Sequence, residues 1–384
     1  MKVAIAVHGR FHAFELAEHL YREGMLAQLA TTYPAFVARR FLPAGVPLAT
    51  APWIEAIRRA HAALGIGPAP DLFIARAFGR FSARHLPEAE ALVTWSGASV
   101  EAIAAAKRRG MFVALERGST HIVFQTEILR AAHARWGVRW NGTDPRLIER
   151  ELSEYDSADV IVTGSSYARA SFLDRGFAPA RVVTNPYGVD LARFHPAAST
   201  TRHEAGGRIL FVGEVGIRKG VPWLLEAFSR LPPQWELHLV GPMAPGFGDV
   251  VARLPLKRVV FRGALAGDAV AAAYRDADIF CLPSIEEGFS LTILQAMASG
   301  LPVVTSRAAG WPDPDADGRA IVLTPPGESE QLAAALGRLA GDEGLRLAIG
   351  AAAVARVASG FTWEDYGRRA VAILRQGLAG RDLR

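Results

Sequence analysis

Short apolar runs alternate with helical stretches along most of this chain, and the pattern stops and restarts once. Strand-like runs stand at 3–7, 91–94, 112–116, 160–163 and 182–184, with helical periodicity over 14–23, 99–108 and 167–174 between them. Residues 193–207, rich in Pro, Ala, Ser, Thr and Gly, interrupt the series. It then resumes with runs at 209–212, 236–240, 259–261, 279–282, 302–305 and 320–323, and closes with a helical tail over 363–376. Strand, crossover, strand is the unit of a parallel sheet covered by helices on both faces. Two such series predict an α/β chain of two doubly wound domains, and 384 residues exceed what one core organises. The expected boundaries are 1–190 for the first domain, 191–207 for the linker and 208–363 for the second. No element is assigned over 24–90.

The most informative run is Leu282-Pro-Ser-Ile-Glu-Glu-Gly-Phe-Ser-Leu-Thr-Ile-Leu-Gln-Ala-Met-Ala-Ser-Gly-Leu-Pro-Val-Val304. Glu287 and Gln295 stand slightly over two helical turns apart across a glycine-opened helix start. Ser290, Leu291 and Thr292 then fall in the first turn, where free N–H groups and the positive dipole end suit an anion such as phosphate. Glu287 before that phosphate and Gln295 beyond it could hold polar groups on either side of a diphosphate, the layout of a nucleotide sugar. A second segment agrees. The strand ending at Gly213 leads into Glu214-Val-Gly-Ile-Arg-Lys-Gly220 and a helix over 222–231, with Pro222 in its first turn. Arg218 and Lys219 thus stand where an open α/β sheet places its ligand crevice. Lys occurs only at 2, 107, 219 and 257 in a chain otherwise using Arg, so a Lys in this loop runs against the compositional bias.

These segments resemble the signature of retaining glycosyltransferases of family 4, which have the two-domain GT-B fold: two Rossmann-like doubly wound domains facing a cleft. The family pattern is Pro-Ser-x-x-Glu-Gly-Phe-Gly, a second Glu eight residues after the first, then Gly-x-Pro-Val-Val. This chain keeps the first acid as Glu287, has Ser290 for the Gly and Gln295 for the second acid. The resemblance implies that Glu287 contacts the donor sugar, Gln295 the ribose, and Arg218 and Lys219 the donor diphosphate. It adds Gly213, Gly288, Phe289, Ser290, Leu291, Thr292 and Gly310 to the donor side. Many members carry Arg directly after the strand's glycine, where Glu214 stands here, and Arg218 is expected to substitute for it. On the acceptor side it points to Gly9 and His12 after the first strand and to Arg117, Ser119 and His121 after the strand at 112–116, His121 as a catalytic candidate near the reacting sugar. Residues from about 364 to 384 are expected to cross back onto the first domain. The implied activity is transfer of a sugar from a nucleotide-diphosphate sugar to an acceptor hydroxyl, in synthesis of cell-surface glycan, polysaccharide or glycolipid. A nucleotide-sugar epimerase or hydrolase, or a non-catalytic nucleotide-sugar-binding scaffold, is the alternative on the same fold.

A dinucleotide fingerprint would need Gly-x-Gly-x-x-Gly after the first strand, and Gly9 stands alone, which removes the support for an oxidoreductase. Asp313-Pro-Asp-Ala-Asp-Gly318 imitates a calcium loop, but its twelfth position is Thr324 and a proline interrupts it. Neither metal nor cofactor is expected. The lone Cys281 excludes an intramolecular disulfide. With no apolar run of membrane-spanning length and no leader layout, the expected location is the cytoplasm. The net charge of +5 resides in residues 1–84, where ten bases face five acids. Phe36, Phe41, Trp53, Phe73, Phe78 and Phe81 interleave there with Arg39, Arg40, Arg58, Arg59, Arg76, Arg80 and Arg84. That composition suits peripheral contact with an anionic membrane surface and a lipid-linked acceptor. It carries no nucleic-acid-binding motif.

Overall fold

The computed structural model describes residues 1–64, 69–197, 206–311 and 318–382. Within them the first half forms β1 (Val3–Val7), β2 (Leu26–Thr31), β3 (Leu48–Thr50), β4 (Ala91–Trp95), β5 (Phe112–Arg117), β6 (Val160–Thr163) and β7 (Val182–Thr184). The second forms β8 (Gly207–Val212), β9 (Trp235–Val240), β10 (Val259–Gly263), β11 (Ile279–Leu282), β12 (Val303–Ser306) and β13 (Val322–Thr324). Strand order is β3-β2-β1-β4-β5-β6-β7 in one sheet and β10-β9-β8-β11-β12-β13 in the other, every pair parallel. Central strands such as β1, β4, β5 and β11 are buried at every position, as a sheet covered on both faces requires. The fold is α/β with two doubly wound sheets.

The order of each sheet reverses once, between β1 and β4 and between β8 and β11. Ligands of open α/β sheets bind outside the strand carboxyl ends at such a switch point. The loops that matter are therefore those following β1, β4, β8 and β11. The chain leaves the first sheet after β7, and the helix Trp363–Asp382 returns to it. Tyr366 donates to Glu116 (3.1 Å), and Arg369 donates to the Asn185 side chain (2.9 Å). The backbone of Val189 pairs with that of Thr362 between them.

Two stretches differ from the sequence expectation. Residues 24–90 supply β2, β3 and the helices Pro52–Leu64 and Asp71–Arg84. The segment after β5, to which the sequence assigned no helix, forms the helices Ile122–Arg135 and Pro145–Ser157, capped by His121 and Asp144. The acidic run at 313–318 lies, apart from Gly318, outside the described residues, as do linker positions 198–205.

Candidate functional site

Because β8 and β11 are neighbours, the loops that follow them run side by side. One carries two adjacent cations and the other two adjacent acids. Arg218 Nε donates to Glu286 Oε2 at 2.9 Å, and its Nη2 lies 3.3 Å from Glu287 Oε1. Lys219 Nζ is paired with Glu287 Oε2. Glu286 is fully buried and Glu287 nearly so. Burial alone would raise the Glu286 pKa, but Arg218, the Ser119 hydroxyl, the Thr120 N–H and Gln125 outweigh it and bring it down to about 2. Burial likewise opposes the charge of Arg218, and Glu287 and Glu286 overcome it, holding its pKa above the ordinary arginine value.

The helix Leu291–Ala298 begins directly beyond this group. Ser290, expected inside the first turn, is its N-cap in extended backbone, and its hydroxyl lies 2.9 Å from that of Thr292 without bonding a helix N–H. The helix therefore starts one residue later than its sequence suggested, a difference of capping geometry only. Gly213 closes β8, its N–H donating to Val240 O (2.9 Å). Two glycines set the thickness of the site. A Cβ on Gly288 would sit 2.2 Å from Gly118 O of the other sheet, and one on Gly310, at φ +82°, would sit 2.4 Å from Gly288 O. The backbones of the two halves touch here. Ser165 donates to Gly288 O, and Phe289 packs against Tyr187 with ring centres 5.5 Å apart.

On the N-terminal side, Ser119 joins the charged group directly, its Oγ donating to Glu286 Oε1 at 2.6 Å and lying 3.5 Å from Arg218 Nη2. Arg117 stands behind it. Buried and paired with Glu151 (2.8 Å), it donates to Thr120 O, Ser96 Oγ and Gln125 Oε1, and so shapes the 118–121 loop from beneath. His121 turns away from the cleft. Its Nδ1 accepts from Val123 N–H (3.3 Å), and its ring packs among Tyr155, Phe172 and Phe177. Burial, with Arg175 and Arg117 nearby, lowers its pKa to about 4. Gly9 is bonded to Thr32 and Thr31 in the loop after β1. His12 is buried between Tyr187 and Trp95, with Nε2 3.4 Å from Glu116.

A cavity of about 810 Å³ opens beside the helix start, lined by Arg10, Phe11 and His12 from one half and by Leu291 and Gln295 from the other. Gln295 and Leu291 are one turn apart on the same helix face. The Gln295 carbonyl accepts from the buried Tyr274 hydroxyl (3.0 Å), which fixes the side chain at the cavity edge. The structure thus gathers Arg218, Lys219, Glu287, Ser119, Gly288, Phe289, Ser290 and Gly310 at one place. Gln295, Leu291 and His12 line the adjoining cavity, and His121 belongs to neither. Glu286, Thr120 and Gln125 escaped the sequence reading. The signal was the doublet Glu286-Glu287 standing opposite the doublet Arg218-Lys219 in the loops that follow adjacent strands.

Two doubly wound sheets meeting at their switch points, with a terminal helix returning to the first, define the GT-B architecture. Residues 206–342 match the family described as Glycosyl transferases group 1. The fold aligns with that of HepE from Anabaena in complex with UDP (TM-score 0.68, 17% identity, 98% of this chain and 100% of that one). It also aligns with sucrose-phosphate synthase from Thermosynechococcus elongatus (TM-score 0.68, 20% identity, 99% and 100%). In sequence, the chain is 29% identical over 272 residues to the MMP alpha-(1->4)-mannosyltransferase of Mycolicibacterium hassiacum, covering 67% of this chain and 64% of that protein. It is 31% identical over 262 residues to the D-inositol 3-phosphate glycosyltransferase of Kineococcus radiotolerans, covering 60% of each. The matched stretches span less than two thirds of these relatives.

Proposed function

We propose that this chain is a retaining glycosyltransferase that moves a sugar from a nucleotide-diphosphate sugar to an acceptor hydroxyl. The observation that carries the reading is the Arg218, Lys219 and Glu287 group beside the N-terminus of Leu291–Ala298, at the switch point of the second sheet. An arriving diphosphate offers Lys219 and Arg218 an anionic partner in exchange for Glu287, and frees that carboxylate to accept from sugar hydroxyls. As the bond from the sugar's anomeric carbon to phosphate breaks, charge grows on the departing oxygen. Lys219, Arg218 and the helix N–H groups neutralise it, each fixed donor contributing about 3 kcal/mol to the barrier change. The new bond forms from the acceptor oxygen on the same face, and the acceptor's proton passes to the leaving phosphate.

Relatives named as glycosyltransferases and a structural neighbour solved with UDP support the reading. The cavity beside Gln295 has room for the nucleoside. The N-terminal half supplies the acceptor side and, through its arginines and exposed aromatics, contact with an anionic membrane, which fits synthesis of a glycolipid or cell-surface glycan. Transfer needs no metal in this scheme, so activity is expected to survive EDTA. The deciding experiment is a thermal-shift panel of UDP, GDP, ADP and TDP with their sugars, followed by product analysis with and without candidate acceptors. Nucleoside diphosphate release that depends on acceptor, with the anomeric configuration kept by NMR, supports the proposal. Equal release without acceptor identifies a hydrolase, and binding without turnover a scaffold.

A further inference from the structure

Glu286 accepts five hydrogen bonds, and four of them cross between the two halves of the molecule. Ser119 Oγ (2.6 Å), Thr120 N–H (3.0 Å) and Thr120 Oγ1 (2.8 Å) converge on Oε1, while Gln125 Nε2 (2.9 Å) and Arg218 Nε (2.9 Å) take Oε2. All of its lone pairs are engaged by donors, so the group is held as a carboxylate. Enclosing an unpaired carboxylate is strongly unfavourable, so Glu286 can be sealed from water only when the opposite loop brings those donors. Its fifth hydrogen bond comes from the cation assigned to the donor diphosphate. Fixing Arg218 through Nε sets the plane of the guanidinium and leaves Nη2 toward Glu287 and Ser119. Among the described residues Nη1 has no protein hydrogen-bond partner.

We propose that Glu286 is a positioning residue: it couples closure of the two domains to the aim of Arg218, so that the guanidinium is oriented for a phosphate only once Ser119, Thr120 and Gln125 have docked. The part of this that concerns turnover rests on the glycosyltransferase reading. The part that concerns closure does not. In the closed form the acid is shared between loop and cation; in an open form it keeps only Arg218 and water, and the guanidinium plane is no longer fixed from the far side.

The test follows closure and chemistry separately in the full-length chain. Dyes on Arg130→Cys and Gln331→Cys, exposed positions in the two halves, report interdomain distance by energy transfer, and the buried native Cys281 stays unlabelled. Glu286→Gln replaces an acceptor oxygen with a donor facing other donors. It is expected to lower the closed fraction without ligand and to reduce kcat about a hundredfold, the scale of misplacing one aligned group. The KM for the sugar donor and the affinity for UDP should change little, because Lys219 and the helix N-terminus remain. Gln125→Glu, at a half-buried position, sets a second carboxylate against Glu286 and should open the cleft even if Glu286→Gln does not fold. A lower melting temperature with energy transfer and kcat both unchanged would overturn the proposal. If the wild-type chain transfers no sugar, the energy-transfer result still decides the closure half while the functional reading fails on its own.

Discussion

Arg218 and Lys219 are adjacent in sequence and unequal in surroundings. Arg218 is shared between Glu286 and Glu287, whereas Lys219 pairs, among the described residues, with Glu287 alone. Lys219→Ala is therefore expected to lower turnover by about a hundredfold, as losing one preorganised charge partner does. The melting temperature should hardly move, since Arg218 still pairs with Glu287. Equal turnover in the variant would remove this loop from the mechanism. Glu287 and Gln295 should separate by role. Glu287→Ala should abolish transfer while leaving the affinity for free nucleoside diphosphate nearly intact, and Gln295→Glu should retain or tighten nucleotide binding, both read by calorimetry. If Glu287→Ala weakens binding of the free nucleotide as much as that of the nucleotide sugar, the assignment to the sugar is wrong. At this scale the sequence displayed side-chain chemistry but not which side chains face each other. Glu287 stood out because a motif surrounds it; Glu286, one position earlier, drew no notice because its partners lie 68 to 167 residues away. His121 shows the converse: a histidine in a polar loop reads as a cleft residue, and only the packing of Phe172 and Phe177 around its ring turns it inward.

Among elements, the helix Ile122–Arg135 makes the sharpest prediction, through its cap. His121 is held at a pKa of about 4 against an ordinary 6.5. Between those values the unfolded chain binds a proton that the native chain refuses, so this residue withdraws stability as the pH falls from 6.5 toward 4. His121→Asn keeps a capping acceptor and removes the titration. Its melting temperature is expected to depend less on pH across that window, with the gain over wild type growing as the pH falls and largest near pH 4; parallel slopes would show that His121 titrates normally. Elements with fully buried apolar runs, such as β1, β4 and β11, were legible because burial on both sheet faces leaves no other reading. β3 was not: three residues at a sheet edge carry too little pattern. β2 mixes buried and half-buried positions, and its Gln28 interrupts the apolar run.

Across the whole molecule, the paired doubly wound sheets were legible because alternation repeats over hundreds of residues. The surface that would choose a partner was not, since exposure has no sequence period of its own. In the structure the helix Asp71–Arg84 turns Ile74, Ala75 and Phe78 inward and leaves Phe73, Arg76, Arg80 and Arg84 on its outer face. The adjoining helix Pro52–Leu64 exposes Trp53 and Leu64, and Phe36 is 70% exposed nearby in sequence beside the exposed Arg39 and Arg40. Arg58 and Arg59 are committed instead to Glu55, whose pKa falls to about 2 chiefly through its bond to Arg58, so they belong to the fold as much as to the surface. None of the helices among the described residues is long and apolar enough to cross a membrane. A face of cations and aromatics in this arrangement instead suits contact with anionic headgroups. The chain should sediment with anionic liposomes at low salt and ignore neutral ones. It should be released as the screening length shortens toward a few ångströms. Replacing Arg39, Arg40, Arg76 and Arg80 with Ser should abolish sedimentation and leave nucleotide affinity unchanged, because no residue of the second sheet is altered. Failure to sediment with anionic liposomes even at low salt would point to a soluble acceptor and leave the arginines as ordinary solvated side chains.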